Sequence, residues 1–406
     1  MLKCGTGGRR ISHLLLLLAG MASLSGAAFG KASGTADGQT AAGVVLIPAD
    51  EMSPLFLGMY RKVMEIEDEI KKHSLKYQVD LALARAVCMY ESGGNPSLRS
   101  AAGAQGYFQV MPATFRSLRV RTNIEAGVKY LGQLFQRFAD EESVLAAYNG
   151  GPTRVARGRV LPLETKQYVM GVRSYREALE LYEPSIREAA RQLRIETVRQ
   201  GEDWWQLAQR LNRPLVQLRL YNPFLAARTL RPGYQIVYPP EPKLDLLATV
   251  GENALYYRAR LGDNLINLAF ALGVDLSALR QANRLEPLQP LSPGTMLEIP
   301  LAAKFTTYRV ADGDDLSAIT QRLRVDPWSL VRDNLLWNHA VEPGMTLRIR
   351  ESPPPPARVV HRVRQGETLS SIAERYGTTI RAIQQINSLG RSTLIRIGQR
   401  LRIQRS

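Results

Sequence analysis

The chain has 406 residues, a length that fits two or three domains, or one domain followed by small modules. Its composition, with 45% hydrophobic and 22% charged residues, excludes a fully disordered, collagen-like or disulfide-rich protein. The only two cysteines, Cys4 and Cys88, and four scattered histidines provide no recognisable metal-ligand spacing, so we expect no metal and no cofactor. No apolar run reaches the roughly 18 residues of a membrane span, so we expect no transmembrane segment.

The first thirty residues have the order of an export signal. Basic residues come first, the apolar run Leu14–Leu18 follows, and small residues surround Ala28. This order predicts that residues 1–30 are a cleavable signal peptide and that the protein is periplasmic. The general secretory route fits better than the twin-arginine route, and a buried N-terminal helix is the alternative. Cys4 precedes the apolar run, so no lipidation site is expected.

Positive charge is concentrated at the C-terminal end. The net charge of the chain is +16, and residues 358–406 contain ten arginines against Glu367 and Glu374, a net of +8. Such a tail favours an acidic partner, and nucleic acid is the usual inference. An exported protein instead meets cell wall or anionic lipid, so we expect no nucleic-acid partner. A solvated arginine-rich face is the alternative.

Composition and hydrophobic periodicity divide the rest of the chain into distinct regions. Residues 31–53 are rich in Gly, Ala, Ser and Thr, which predicts a flexible linker. Residues 54–190 show helical periodicity without strand alternation, which predicts an all-α domain. The first helix is indicated by an apolar stripe from Leu55 to Ile70. The later helices are predicted from their capping residues and spacing: Asp80 before 81–91, Asn123 at the start of a third helix, Asp140 at the start of a fourth, and a fifth over 164–182.

After residue 195 the sequence repeats four times. Each copy has Gly, an acid and a polar or small residue, then an Asn 21 residues after the Gly, and a second Gly 31 or 32 residues after the first. In the fourth copy these are Gly366-Glu367-Thr368, Asn387 and Gly398. The spacing predicts small α+β units of βααβ order, in which the acid–polar pair caps the first helix and the Asn ends the second in left-handed geometry. The predicted units are modules 1 to 4 at residues 195–240, 256–300, 307–350 and 359–404, with a proline-rich linker at 351–358.

These repeats resemble the LysM module, most closely in module 4. The resemblance implies binding of glycans that contain N-acetylglucosamine, through the loop after the first strand and the loop before the second. Carried over to module 4, it implies that glycan contacts come from Glu367, Thr368, Leu369, Leu394 and Ile395. Modules 1 and 3 depart from the pattern at Trp204-Trp205, Thr320 and Pro327-Trp328, which leaves open a purely structural role for them.

Four motifs in the helical region occur in a specific order. They are Glu91-Ser92-Gly93-Gly94-Asn95-Pro96, the stretch Ser100–Pro112, Ala147-Tyr148-Asn149-Gly150-Gly151-Pro152, and Glu164–Val169. Their order and spacing resemble the lytic transglycosylases, whose goose-lysozyme-like SLT domain is here followed by LysM repeats. Two positions depart from that pattern: Phe108 stands where the family usually has Met, and the lipidation Cys of the LysM-bearing subgroup is absent.

Glu91 has the environment of a proton donor. It follows the apolar run Val87–Tyr90 and stands at a predicted helix C-terminus, where the helix dipole disfavours negative charge. Both effects raise the pKa of a carboxyl, as cleavage of a glycosidic bond near neutral pH requires. No second carboxylate is near Glu91 in the sequence, although ordinary glycosidases need one.

The resemblance implies an answer to the missing second acid. In this family one glutamate acts as acid and then as base, so that a 1,6-anhydro ring closes on N-acetylmuramic acid and peptidoglycan is cleaved without water. It implies Glu91 in that role, with glycan strands as the partner. A lysozyme-type hydrolase and a non-catalytic peptidoglycan-binding protein remain alternatives. The residues that the motifs place around the substrate are Ser92, Ser100, Phe108, Gln109, Tyr148, Asn149, Glu164 and Tyr168.

Overall fold

The structure is a computed structural model. It describes residues 46–404 except 101, 227, 243–245, 251–253, 302–304, 337–340, 351–357, 365–366, 368, 370–371, 374–375, 377, 379 and 391. The predicted signal peptide (1–30), most of the predicted linker (31–53), nearly all of the proline-rich linker (351–358) and Thr368 therefore lie outside the described residues. None of the helices in the described part is long and apolar enough to cross a membrane.

The region from residue 54 to 191 is all helical, as the sequence predicts. A 3-10 turn at Ala49–Glu51 precedes the first helix. The helices are α1 (Pro54–Met64), α2 (Glu67–Tyr77), α3 (Leu81–Ser92), α4 (Pro112–Leu118), α5 (Asn123–Arg137), α6 (Glu141–Gly150), α7 (Pro152–Ala156) and α8 (Leu163–Arg191). They share one apolar core, whose fully buried members include Val63, Leu83, Val87, Leu131 and Val172.

Several predicted helix ends are confirmed. The Asp80 carboxylate accepts a hydrogen bond from Leu83 N at the start of α3, and Asp140 does the same for Ser143 N at the start of α6. Gly93, in left-handed geometry with φ 59°, ends α3.

Other predicted ends are wrong. The single stripe predicted from Leu55 to Ile70 is divided between α1 and α2. The end predicted at residue 182 coincides with a kink at Tyr182, where the backbone is not helical, but helix resumes and continues to Arg191. The cap of α5 is Thr122, which accepts from Glu125 N, and not Asn123. The Asn123 side chain instead accepts from Phe108 N and donates to Gln105 O, so its hydrogen bonds go to the neighbouring loop.

The four repeats form small antiparallel sheets with intervening helices. Module 1 has β1 (Arg194–Thr197), α9 (Trp204–Leu211), α10 (Leu215–Leu220), α11 (Pro223–Ala226) and β2 (Gln235–Tyr238). Module 2 has β3 (Ala248–Val250), β4 (Ala254–Arg258), α12 (Leu265–Leu272), α13 (Leu276–Ala282) and β5 (Met296–Ile299). Module 3 has β6 (Phe305–Arg309), α14 (Leu316–Leu323), α15 (Pro327–Asp333) and β7 (Thr346–Arg350). The described elements of module 4 are β8 (Arg358–Arg362), α16 (Ile380–Ile386) and β9 (Arg400–Gln404).

The repeated Asn has a different role from the predicted one. Asn283 and Asn334 have φ near −102° and −112°, so they are not in left-handed geometry. In every module the side chain joins the second helix to the last strand. Asn387, for example, donates to Ile383 O and Arg402 O and accepts from Arg402 N. The Asn therefore satisfies backbone groups that the short sheet leaves unpaired.

The acid after the repeated Gly closes the turn that follows the first strand. Its carboxylate accepts a hydrogen bond from the backbone N–H three residues earlier, as in Arg260 N to Asp263 at 2.7 Å and Arg364 N to Glu367 at 2.8 Å. The next residue caps the helix: Asn264 in module 2 and Asp315 in module 3 accept from first-turn N–H groups. The predicted acid–polar pair thus divides into a turn residue and a cap.

Modules 1 to 3 pack against the helical domain and against one another. Leu55 of α1 belongs to the same apolar core as Leu220, Leu268 and Trp328, which come from the three modules. Trp328 Nε1 of module 3 donates to Leu272 O of module 2 at 2.6 Å. Module 4 has an apolar core of its own, built around Ile372, Ile383 and Leu401 among others.

Candidate active site

Glu91 lies in the last turn of α3 and is only partly exposed. The helix carries apolar residues into the core up to Met89, and the left-handed Gly93 then turns the chain away. Placed at this end, the carboxyl faces the negative pole of the helix dipole. The local sequence therefore puts a carboxyl group where its ionised form is disfavoured.

Burial raises the pKa of Glu91 to about 8, and an interaction with Tyr168 lowers it in part. The carboxyl is therefore protonated at neutral pH and can donate its proton. The Tyr168 hydroxyl of α8 is buried and has no partner at hydrogen-bond distance among the described residues. It is near enough to Glu91 for each group to affect the pKa of the other. Burial also raises the pKa of Tyr148 on α6 well above its usual range, with the Glu91 charge as a further cause. Two neutral phenols thus accompany the acid.

The loop between α3 and α4 is fastened to the end of α3 by several predicted site residues. Ser92 is fully buried and donates to Tyr107 O at 2.7 Å. Gln109, with φ 45°, donates from its amide to Leu98 O and Gly106 O. Ser100 accepts from Ala104 N. These side chains hold the shape of the loop.

Phe108 lies in the core of the domain and does not line a cleft. Its ring is fully buried and covers Gly127 of α5, where a Cβ atom would overlap the ring. Its carbonyl oxygen accepts a hydrogen bond from the Tyr148 hydroxyl at 2.8 Å. Phe108 therefore contributes packing from behind the site.

Asn149 and Glu164 are exposed on the side of α6 and α8 near the site. Thr165 is buried and donates to Asn149 Oδ1 at 2.8 Å, which joins the end of α6 to the start of α8. Glu164 stands in the first turn of α8 and contributes to the raised pKa of Tyr90. Both side chains remain accessible to a ligand.

Tyr90 and Tyr175 form an aromatic cluster with Tyr168 that is not predicted from the sequence. The ring of Tyr90 packs edge-on against Tyr168 with centroids 5.2 Å apart, and lies 5.8 Å from the ring of Tyr175. Tyr175 is buried in α8. Helical spacing places such residues on a core face, and only the tertiary structure shows that they pack against one another around Tyr90, the residue before Glu91.

A metal centre has no support in the described part of the chain, where no group of three His, Cys, Asp or Glu side chains is placed to hold an ion. The one described cysteine, Cys88, is buried, and burial raises the pKa of its thiol.

The predicted glycan contacts of module 4 differ in accessibility. Leu369 is buried in the core of the module, and the Glu367 carboxylate accepts from Arg364 N and contacts His361 Nε2 at 2.7 Å. Leu394 is 85% exposed, and Ile395 is partly buried beside it. The accessible surface among these residues is therefore the loop before β9.

Module 1 has an aromatic cavity of about 430 Å³ in common with module 3. Trp204 at the start of α9 and Arg228 in the loop after α11 come from module 1, and Pro327 and Trp328 at the start of α15 come from module 3. The Arg219 guanidinium lies 4.7 Å from the centre of the Trp328 ring. Except for Thr320, the residues that depart from the LysM pattern therefore line one cavity.

Family models match both parts of this architecture. The Transglycosylase SLT domain matches residues 68–170, which include Glu91, Tyr148 and Tyr168. The LysM domain matches residues 197–239, 257–300, 308–350 and 361–404. The chain thus combines a Transglycosylase SLT domain with four LysM domains, and this combination, together with its relatives, supports lytic transglycosylase activity.

Several known proteins are similar to this chain. The chain is similar to membrane-bound lytic murein transglycosylase D of Escherichia coli K12, with 26% identity over 335 residues, 67% of this chain and 72% of that protein. The transglycosylase of Enterobacteria phage PRD1 is 37% identical over 101 residues, 23% of this chain and 37% of that protein. The crystal structure of the 70 kDa soluble lytic transglycosylase of Escherichia coli is 26% identical, with a TM-score of 0.25, over 29% of this chain and 25% of that chain.

Proposed function

We propose that this protein cleaves the bond between N-acetylmuramic acid and N-acetylglucosamine in peptidoglycan and leaves a 1,6-anhydro end, with Glu91 as acid and then base. The observation that carries the proposal is the raised pKa of Glu91, about 8, at the end of α3. A carboxyl with this pKa holds its proton at neutral pH and can still release it to a leaving group.

The proton balance needs one carboxyl only. Glu91 gives its proton to the glycosidic oxygen as the bond to the muramic acid C1 breaks. The carboxylate then takes the proton of the C6 hydroxyl, whose oxygen bonds to C1 and closes the anhydro ring. Glu91 ends protonated again, and no water is consumed. Tyr168, which interacts with the carboxyl, stabilises the ionised form between the two steps.

We propose two groups among the other site residues. Tyr148, Asn149, Glu164 and Tyr168 lie around Glu91 or are exposed next to it, and they contact the sugar hydroxyl and acetamido groups. Ser92, Ser100, Phe108 and Gln109 act indirectly, because their side chains are buried or hydrogen-bonded within the loop. The LysM modules retain the glycan, with module 4 using the exposed Leu394 loop. This function requires export to the periplasm, in accord with the signal predicted for residues 1–30.

The test is the chemistry of the released fragments. Purified protein is incubated with peptidoglycan sacculi, and the released muropeptides are analysed by mass spectrometry. Anhydro ends are expected from the wild type. Glu91→Gln, which preserves size and hydrogen bonding but cannot transfer the proton, is expected to reduce release to below a few per cent with the fold unchanged. Reducing ends would establish a lysozyme-type hydrolase, and no release by the wild type would establish a non-catalytic binding protein.

A Glu164→Gln variant is the matched control for the single-acid mechanism. Its carboxyl is exposed at the start of α8. The proposal expects anhydro products from this variant, at a reduced rate if Glu164 contacts the sugar. If Glu164→Gln loses all cleavage while Glu91→Gln stays active, then Glu164 and not Glu91 is the catalytic acid.

A further inference from the structure

The turn after the first strand of module 2 is held against the catalytic domain. Leu261 N donates to Glu51 O at 2.9 Å, and Ser53 N donates to Leu261 O at 2.8 Å. At Gly262, φ is 84° and a Cβ atom would overlap the ring of Phe56 in α1. The turn is therefore covered by protein on the side where the equivalent turn of module 4 is predicted to contact glycan.

Two asparagines of this segment reach the tyrosines beside Glu91. Asn267 is 7% exposed, and its amide donates to the Tyr175 hydroxyl at 3.0 Å. The Tyr90 hydroxyl donates to Gln167 O at 3.4 Å, and the side chain of Asn264 is near enough to this hydroxyl to offset in part the effect of burial on its pKa. Both contacts cross from module 2 to the catalytic domain.

The two tyrosines connect these contacts to the acid. Tyr90 is the residue before Glu91 and packs against both Tyr168 and Tyr175. Its ring also lies on Gly171 of α8, where a Cβ atom would overlap it. Because Tyr90 is enclosed on these sides, a shift of its hydroxyl displaces the ring against Tyr168, whose buried hydroxyl interacts with Glu91.

The repeat itself shows that these residues are not needed for the LysM fold. The positions of Asn264 and Asn267 are Asp203 and Gln206 in module 1, and Asp315 and Ala318 in module 3. Asp203 and Asp315 cap the first helix as Asn264 does. An aspartate therefore suffices for the cap, and only an asparagine adds an N–H donor for Tyr90.

We propose that Asn264 and Asn267 are positioning residues for Glu91, so that module 2 works as a part of the catalytic domain and not as a glycan-binding module. The inference rests on the proposed function, in which Glu91 is the acid. Cleavage depends on Glu91 and Tyr168 being held at a fixed separation, and small displacements of catalytic groups lower the rate constant strongly. Binding of glycan elsewhere does not depend on this contact.

The test is Asn264→Asp in the full chain. The substitution replaces the amide by a carboxylate, which is the capping group at the equivalent positions of modules 1 and 3. We expect kcat on soluble peptide-free glycan to fall about 10-fold or more while KM changes less than about twofold. Asn267→Leu, close in size but without the amide, should do the same. Asp315→Asn in module 3 is the matched control, since it makes the reverse exchange at the same cap, and it should leave kcat unchanged.

A double-mutant cycle separates positioning from stability. Tyr90→Phe and Asn264→Asp should lower kcat non-additively, because each removes the interaction between the Asn264 amide and the Tyr90 hydroxyl, and the coupling in kcat should persist at temperatures where all four proteins are fully folded. If Asn264→Asp fails to fold, Asn264→Ser, which keeps a capping oxygen, takes its place in the cycle. The proposal is overturned if both asparagine variants retain wild-type kcat, or if kcat falls only in proportion to the unfolded fraction.

The wild type and Glu91→Gln, assayed alongside, keep the two proposals distinguishable. An inactive wild type, or an active Glu91→Gln, refutes the proposed function and this inference with it. An active wild type and inactive Glu91→Gln, combined with unaffected asparagine variants, refute only the positioning role of module 2.

Discussion

The Tyr148 hydroxyl donates a hydrogen bond to the carbonyl oxygen of Phe108, 2.8 Å away, and so joins the end of α6 to the loop that follows α3. Phe108 itself is fully buried against Gly127, so this carbonyl is fixed from behind. The position of Tyr148 beside Glu91 is thus set by a backbone group of the loop. Tyr148, which the sequence predicts to contact substrate, therefore also makes a hydrogen bond that stabilises the fold.

Tyr148→Phe is expected to destabilise the protein and to reduce cleavage. The substitution leaves the Phe108 carbonyl without its donor, a loss of about 1–2 kcal/mol in the free energy of unfolding. The measurement is urea unfolding combined with the rate of release from sacculi. Tyr130→Phe is the control, because Tyr130 packs against Tyr148 at 5.3 Å between ring centroids and is only partly buried. Equal effects of the two substitutions would contradict a specific role for the Tyr148 hydroxyl.

The pH dependence of stability should reveal the protonated Glu91. Its pKa is about 8 in the folded state, against 4.5 for an ordinary glutamate. Between these values the folded protein keeps a proton that the unfolded chain releases, so stability falls as pH rises from 4.5 to 8 and is level above that. Glu91→Gln has no such proton. We expect it to be more stable than the wild type by about 2–5 kcal/mol at pH 9 and by much less at pH 4.

Chemical unfolding of both proteins at pH 4, 7 and 9 measures this difference, and other titrating groups cancel in the comparison. Glu177→Gln, which alters an exposed carboxyl on α8, is the control and should show no such pH-dependent gain. If Glu91→Gln has the same advantage at pH 4 and at pH 9, Glu91 is ionised in the folded protein and is not the proton donor.

Local signals in the sequence predicted much of the fold because they act within a few residues. Asp80 and Asp140 cap their helices as expected, since a side-chain oxygen three residues before a free N–H is a local arrangement. Asn123 shows the limit of such reasoning. Its position suited a cap, but the loop at Phe108 competes for its side chain, and the sequence gives no measure of that competition.

The candidate site could be predicted at Glu91 but not in its surroundings. The apolar run before Glu91 and the glycines after it are visible in the sequence, and the burial that the apolar run predicts is the cause of the raised pKa. The contact of Asn267 with Tyr175 joins residues 92 positions apart and depends on how two domains pack. Periodicity identifies each of them as a residue on a helix and says nothing about which helix lies opposite.

Gly58→Ala is expected to weaken the docking of module 1. Gly58 lies inside α1, where Ala normally gains about 0.5–1 kcal/mol over Gly. Here a Cβ atom would overlap the carbonyl oxygen of Tyr221, at the end of α10. Since backbone cannot move aside easily, we expect a net loss of about 1–3 kcal/mol in the free energy of unfolding. Faster amide hydrogen exchange in α10 and α11 would show that module 1 has loosened, whereas a stabilised variant would contradict the close packing.

Removal of module 4 should separate wall affinity from catalysis. Module 4 has its own core, so a chain that ends at Glu351 leaves modules 1 to 3 and the catalytic domain with their contacts. This chain should cleave soluble glycan at the wild-type rate but sediment less with insoluble sacculi. The loss should be greater at low salt, because arginine attraction to carboxylates is screened within about 10 Å at 0.1 M salt and about 3 Å at 1 M.

A full-length variant with Arg362, Arg396 and Arg400 changed to Gln distinguishes two sources of wall affinity in module 4. One is the positive charge of the arginines, and the other is glycan binding by the loop at Leu394. All three side chains are exposed, so the module should keep its fold. If this variant loses sedimentation only at low salt while truncation loses it at both salts, the arginines attract the wall and the loop at Leu394 holds the glycan. If truncation leaves sedimentation unchanged at low and high salt, module 4 has a solvated basic face, and the substrate is retained by the remaining modules or by the catalytic domain itself.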